Sequence, residues 1–156
     1  MDSTPKYSIT TVFTDLPPSE QEFVFRETEQ RKPSQELLEL FARRRMFLGL
    51  KEDSKLLAFF AYSLKDGRCI IERVWGRAPK NFITEYKTTP ATFLWEELLR
   101  KRFRVFVVRG TTTKGNLFFS KKISTGLLKK AKIPELALGF RATQSAIKLA
   151  KLRKKI

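Results

Sequence analysis

Apolar and polar positions along the chain change period several times, and those changes mark its elements. Tyr7 to Phe13 (YSITTVF) is dense in β-branched and aromatic residues and reads as a strand, ended by Leu16-Pro17-Pro18-Ser19. Ser19 and Glu22 have the spacing of a capping box and favour a helix after the prolines. Phe23-Val24-Phe25 suits a strand equally well, so 20–30 stays open between the two. A clearer helix starts at Pro33-Ser34, with Leu37, Leu38, Phe41 and Ala42 on one face and Arg43, Arg44 and Arg45 in the last turn. Three meander strands follow, at 46–50, 55–64 and 68–75, with Asp66-Gly67 as a hairpin turn. The middle one (KLLAFFAYSL) is apolar at nearly every position, the pattern of a central strand covered on both faces. Residues 76–87 look irregular. Thr89-Pro90 opens a helix striped by Leu94, Trp95, Leu98 and Leu99. Arg104 to Arg109 reads as a short buried strand and 110–115 as a loop. Asn116 to Lys132 reads as a helix weakened by Gly126, and Leu136 to Ala142 as a strand. Thr143 or Ser145 caps a last, basic helix.

The length, 156 residues, is that of one domain, expected as a compact unit over 1–142 with a basic helix or tail over 143–156 packed on it. Apolar residues make up 42% and include 14 phenylalanines, enough for a core. No apolar run reaches the roughly 20 residues that cross a bilayer, and Met1 to Lys6 has no signal-peptide core. The single cysteine, Cys69, lies in an apolar strand pattern and reads as a packed thiol in a reducing, cytoplasmic compartment. There is no histidine. That excludes histidine triads, and with one cysteine it argues against a zinc site; no metal is expected. Acid–base chemistry is left to Glu, Asp, Tyr, Lys, Cys or water.

Charge changes the picture most. Residues 1–40 hold 4 Lys/Arg against 8 Asp/Glu, residues 41–99 hold 11 against 7, and residues 100–156 hold 17 against 1, Glu135. Such segregation is self-repelling unless something compensates it. Nucleic-acid phosphate is the favoured compensator, through counterion release. An acidic protein or membrane surface, and a simple solubility adaptation, are the alternatives. Lys121, Lys122, Lys129, Lys130 and Lys132 fall on the helix expected over 116–132, where Lys122 and Lys129 would share a face. With Arg100, Lys101, Arg102, Lys151, Arg153, Lys154 and Lys155 they form a candidate nucleic-acid patch. Trp75 and Tyr86 are candidates for stacking on unpaired bases, with core packing as the alternative. No nucleic-acid-binding motif is legible, so contacts would be backbone-dominated and of low specificity, to DNA or RNA. The acidic first segment would face a protein neighbour.

The order of elements, strand, one or two helices, three strands, helix, strand, helix, strand, resembles the GNAT superfamily of acyl-CoA-dependent N-acetyltransferases over residues 7–142. The stretch TTTKGNLFF also resembles small GNAT-like proteins of bacteriophages. The resemblance implies an α/β (α+β) fold with a mixed, mostly antiparallel sheet. It implies acetyl-CoA as cofactor, and a phosphate-binding turn R/Q-x-x-G-x-G/A before the helix that follows the fourth strand. Here that turn is 84–91, TEYKTTPA, with no glycine. Phosphate contacts would fall to Lys87, the hydroxyls of Thr88 and Thr89, and the N–H groups of Ala91 and Thr92. The family's tyrosine acid has no counterpart, since Phe118 and Phe119 stand in that region. Glu72 is the candidate base, with a surface carboxylate paired to a basic neighbour as the plainer reading. The 110–115 loop (GTTTKG) suggests a phosphate cradle but lacks the Walker pattern, and a solvated turn is the simpler account. Three functions follow: a nucleic-acid-binding module on a GNAT-like scaffold, an acyl-CoA-dependent N-acyltransferase, and a structural component of a ribonucleoprotein or virus particle.

Overall fold

The computed structural model describes residues 7–101, 103, 105–108, 118–119, 121–122, 126, 128–130 and 138–152. The elements are β1 (Tyr7–Thr10), a 3-10 turn (Phe13–Asp15), α1 (Pro18–Glu29), α2 (Gln35–Arg44), β2 (Met46–Glu52), β3 (Lys55–Lys65), β4 (Arg68–Gly76), α3 (Lys80–Tyr86), α4 (Pro90–Arg100), β5 (Val105–Val108), β6 (Leu128–Lys130), β7 (Leu138–Ala142) and α5 (Gln144–Leu152). The seven strands among the described residues form one sheet in the order β1-β2-β3-β4-β5-β7-β6. Every neighbouring pair is antiparallel except β4 and β5, which run parallel.

β3 shows why the sheet is covered on both faces. Phe59 packs with Phe13, Val24, Phe25 and Phe41, the layer of α1 and α2. Its neighbour Phe60 points the other way and packs with Trp95, Leu98 and Phe106 in the layer of α4 and α5. Alternation puts successive residues on opposite faces, so a strand buried on both sides must be apolar throughout. The hairpin Asp66-Gly67 has φ of 53° and 74°, the left-handed pair that a two-residue turn with matching twist requires.

Four local expectations change. Pro18, not Ser19, begins α1; the N-cap is Pro17 and no side chain caps it, because proline's fixed φ already suits the first helical position. The open 20–30 segment is helical to Glu29, and Gln30 closes the helix in the left-handed conformation (φ 55°). The segment expected to be irregular contains α3, closed by Lys87 in the left-handed conformation (φ 59°). The long helix expected over 116–132 does not exist as such. Residues 118–119 and 121–122 are helical, Gly126 turns at φ 78°, and Leu128–Lys130 is a strand. Glycine there permits a backbone that ends a helix. Lys122 and Lys129 therefore do not share a helix face.

Burial of ionisable groups sets one pH response. Burial pushes the Cys69 thiol from 9.0 up to about 12. Burial, and to a lesser degree the nearby Cys69, pushes the Tyr62 phenol from 10.0 up to about 12. Both acids bind protons more tightly folded than unfolded. Their contribution is intact below about pH 9 and is lost as the pH rises toward 12. Urea midpoints should fall steadily from pH 9 to 11, and Cys69→Ala should delay the fall. A flat profile over that range would contradict the assignment.

Candidate active site at the fork of the sheet

The parallel pair among the described strands opens into a fork. β4 and β5 pair at Cys69↔Phe106, Ile70↔Val107 and Ile71↔Val108, where the described pairing stops. The same point carries a β-bulge. In the β3–β4 register Tyr62 faces Ile71 and Ala61 faces Arg73, so Glu72 is left without an opposite residue. A bulge inserts one residue, bends its strand and re-aims the side chains that follow. Glu72 and Arg73 consequently both turn toward the α1/α2 layer. Arg45, just after α2, donates from Nε to Glu72 and pairs from Nη2 with Glu29 at 2.8 Å, while Arg73 pairs with Glu27. Two carboxylates at the end of α1 thus meet the bulge through two guanidinium groups.

Beyond the bulge a cavity of about 430 Å³ opens, lined by Arg73 to Ala78, Glu27, Thr89, Ala91 and Phe118. One wall is the end of β4 and another is the first turn of α4. The two are in close contact: a Cβ on Gly76 would lie 3.1 Å from Ala91 Cβ and 3.6 Å from Ala91 N. The positive end of the α4 dipole faces this space. Its donors are partly taken. Pro90 has no N–H, and Thr89 Oγ1 accepts from Thr92 N at 3.3 Å. Lys122 donates from Nζ to Thr92 Oγ1 at 3.2 Å and stands 5.0 Å from the centre of the Phe118 ring. Arg77 is exposed on the cavity wall, its guanidinium 5.6 Å from the Trp75 ring centre.

The residues singled out in the sequence divide accordingly. Thr89 and Ala91 line the cavity, and Thr92 sits behind them. Lys87 and Thr88 do not line it; Lys87 closes α3 and is exposed. Glu72 lies at the fork and is bonded to Arg45, which follows α2, and has no residue opposite it on β3. Lys122 belongs to the α4 N-terminus rather than to a separate patch. Arg100 is held by Glu97 and by the Ala150 carbonyl. Lys101 and Lys151 are exposed, as is Lys121. Lys129 and Lys130 lie on β6, with side chains outside the described residues, as are Arg102, Lys132, Arg153, Lys154, Lys155 and the 110–115 loop. Trp75 and Tyr86 are half-buried and packed among rings: Trp75 on Phe23 and Phe59, Tyr86 on Tyr7, Phe82 and Phe93. Neither is a free stacking platform. Phe118, noted in the sequence where the family's tyrosine would stand, lines the cavity. Glu27, Arg73 and Arg77 were not anticipated. Their meeting depends on the bulge, which leaves no mark in composition. No group of metal-ligating side chains occurs among the described residues, and no described helix is long and apolar enough to cross a membrane.

No family profile and no curated protein matches the chain. Solved structures do. The putative N-acetyltransferase YhhK from E. coli, solved bound to coenzyme A, aligns with a TM-score of 0.56 and 10% identity, over 88% of this chain and 99% of that one. The Campylobacter jejuni N-acetyltransferase PseH in complex with acetyl coenzyme A aligns at 0.55 with 11% identity, over 89% and 99%. The ribosomal-protein-S18-alanine N-acetyltransferase from Escherichia coli aligns at 0.50 with 12% identity, over 86% and 92%. The chain has the GNAT fold, the fold of these N-acetyltransferases, along nearly its whole length.

Proposed function

We propose that the chain binds an acyl-coenzyme A in the fork and transfers its acyl group to an amine. The observation that carries this reading is the cavity lying between the bulged end of β4 and the N-terminus of α4. Solved relatives in fold with coenzyme A or acetyl coenzyme A support the same ligand.

The residues present fit a phosphate by a different route from a glycine turn. Backbone N–H groups at the start of α4 are reduced by Pro90 and by the Thr89 cap. Side chains stand in their place: the hydroxyls of Thr89 and Thr92, and the ammonium of Lys122. Arg77 adds a second cation at the cavity wall. Lysine engages phosphate as a point charge, and the helix dipole reinforces it.

The acyl-CoA would supply an activated thioester; the protein has to bind it, place the amine and receive a proton. Glu27 is better placed than Glu72 for the proton. Both carboxylates are paired with an arginine, Glu27 with Arg73 and Glu72 with Arg45, but Glu27 lines the cavity and Glu72 does not. Arg73 holds Glu27 by the oxygen Oε2, and both residues line the cavity. The amine nitrogen would bond to the acyl carbon as the carbon–sulfur bond breaks and coenzyme A leaves as its thiolate. The proton leaving the nitrogen would pass to this carboxylate directly or through water, and the thiolate would be protonated from solvent.

Thermal shift tests the binding step. Coenzyme A at 100 times its dissociation constant should stabilise the fold by about 2.7 kcal/mol. No shift at millimolar coenzyme A would count against the proposal. Lys122→Gln removes one charge-assisted contact, and it should weaken that binding roughly tenfold while leaving the unliganded melting temperature nearly unchanged.

A further inference from the structure

The far end of α4 carries cations that the fork does not use. α5 packs on α4 through buried Ala146 and Ala150, with Ile147 and Leu149 half-buried. Arg100 locks the two helices together, donating from Nη1 to the Ala150 carbonyl and from Nη2 to Glu97 at 2.6 Å. That crossing places Lys101 and Lys151 each one residue from an end of the same bond. Lys148 lies one turn before Lys151 on the same side of α5. All three are exposed, and no described ion pair engages them.

We infer that the face formed by Lys101, Lys148 and Lys151 docks the phosphate backbone of a nucleic acid. α5 exposes Gln144, Ser145, Lys148, Lys151 and Leu152. Gln, Ser and Lys are side chains that contact phosphate oxygens without reading sequence. The apolar side of the helix is already covered by α4, so α5 has no apolar face to lay into a bilayer. Its outward positions before Leu152 include no aromatic or arginine anchor of the kind that centres a protein interface. Among the described residues the neighbouring Glu97 is taken by Arg100, and residues 100–156 carry one acidic side chain, Glu135, against 17 Lys/Arg. The 11 residues of α4 separate this face from the fork by about 16 Å. The two surfaces can therefore act independently.

The test uses the full chain and fluorescence anisotropy with a labelled 20-base-pair duplex DNA of arbitrary sequence, from 50 to 200 mM salt. Three neutralised phosphates give a log–log slope of about −2.7, roughly a 40-fold loss of affinity over that range. The triple variant Lys101→Gln/Lys148→Gln/Lys151→Gln should flatten the slope by about 2 to 3. It should weaken binding equally for an unrelated duplex and keep the wild-type melting temperature and coenzyme A response. An unchanged slope in the triple variant overturns the inference, as does wild-type binding that ignores salt. Tighter binding to phosphatidylserine vesicles than to the duplex at equal salt overturns it in favour of a membrane surface.

Discussion

Trp95→Ala is expected to remove about 3–5 kcal/mol of folding stability, the range for deleting a large buried ring. Trp95 is 1% exposed and sits on the inner face of α4. Its ring centre lies 4.6 Å from Phe106 on β5, 5.6 Å from Phe119, 6.3 Å from Phe60 on β3 and 6.4 Å from Phe118. One side chain thus ties the helix to two strands and to the helical residues after β5. The surrounding rings are themselves rigid and cannot collapse into the space, so the cost should lie high in the range. Trp95→Phe should cost much less. It keeps most of the ring volume, and it removes an indole N–H that is buried without a hydrogen-bond partner among the described residues. Urea unfolding followed by circular dichroism distinguishes the two. Equal losses for Ala and Phe would show that the site repacks and that the ring cluster does not hold α4 in place.

The sequence pattern exposed those parts of this molecule that depend on a single local cause. β3 was legible because its strand is apolar on both faces, and the β3–β4 turn because Asp66-Gly67 suits a left-handed pair. α4 was legible because Thr89 caps and Pro90 fits the first position. The helix α3 was missed although Phe82 and Tyr86 stand four apart and both pack against Tyr7; seven residues between two prolines give too little periodicity to outweigh breaker signals. The strand Leu128–Lys130 was missed because the lysines around it favour a helix equally well, and only Gly126 hinted at the break. The candidate site was half visible. Thr89, Ala91 and Thr92 could be found from the element order, since the helix after the fourth strand is a local feature. Glu27 and Arg73 are 46 residues apart, and only the bulge at Glu72 brings them together.

Gly76→Val is expected to destabilise the protein by about 1–3 kcal/mol, the range for overpacking, and to abolish the coenzyme A response. Gly76 ends β4 opposite Ala58. A Cβ there would stand 3.1 Å from Ala91 Cβ and 3.4 Å from Ala58 Cβ. Alanine is tolerable if α4 gives by a few tenths of an ångström. The two methyl groups of valine have no such room and would push the first turn of α4, with Thr89 and Ala91, away from the strand. Valine favours strands, so local propensity works against the predicted loss and packing alone must produce it. A double-mutant cycle isolates that contact. Ala91→Gly by itself should cost up to about 1 kcal/mol in helix propensity. Combined with Gly76→Ala, it should cost less than the two changes summed, by at least about 0.5 kcal/mol, because the clashing pair is relieved. Strict additivity would mean that strand and helix are not in contact there. A Gly76→Val protein that is destabilised yet still binds coenzyme A would keep the packing and move the ligand away from the α4 N-terminus.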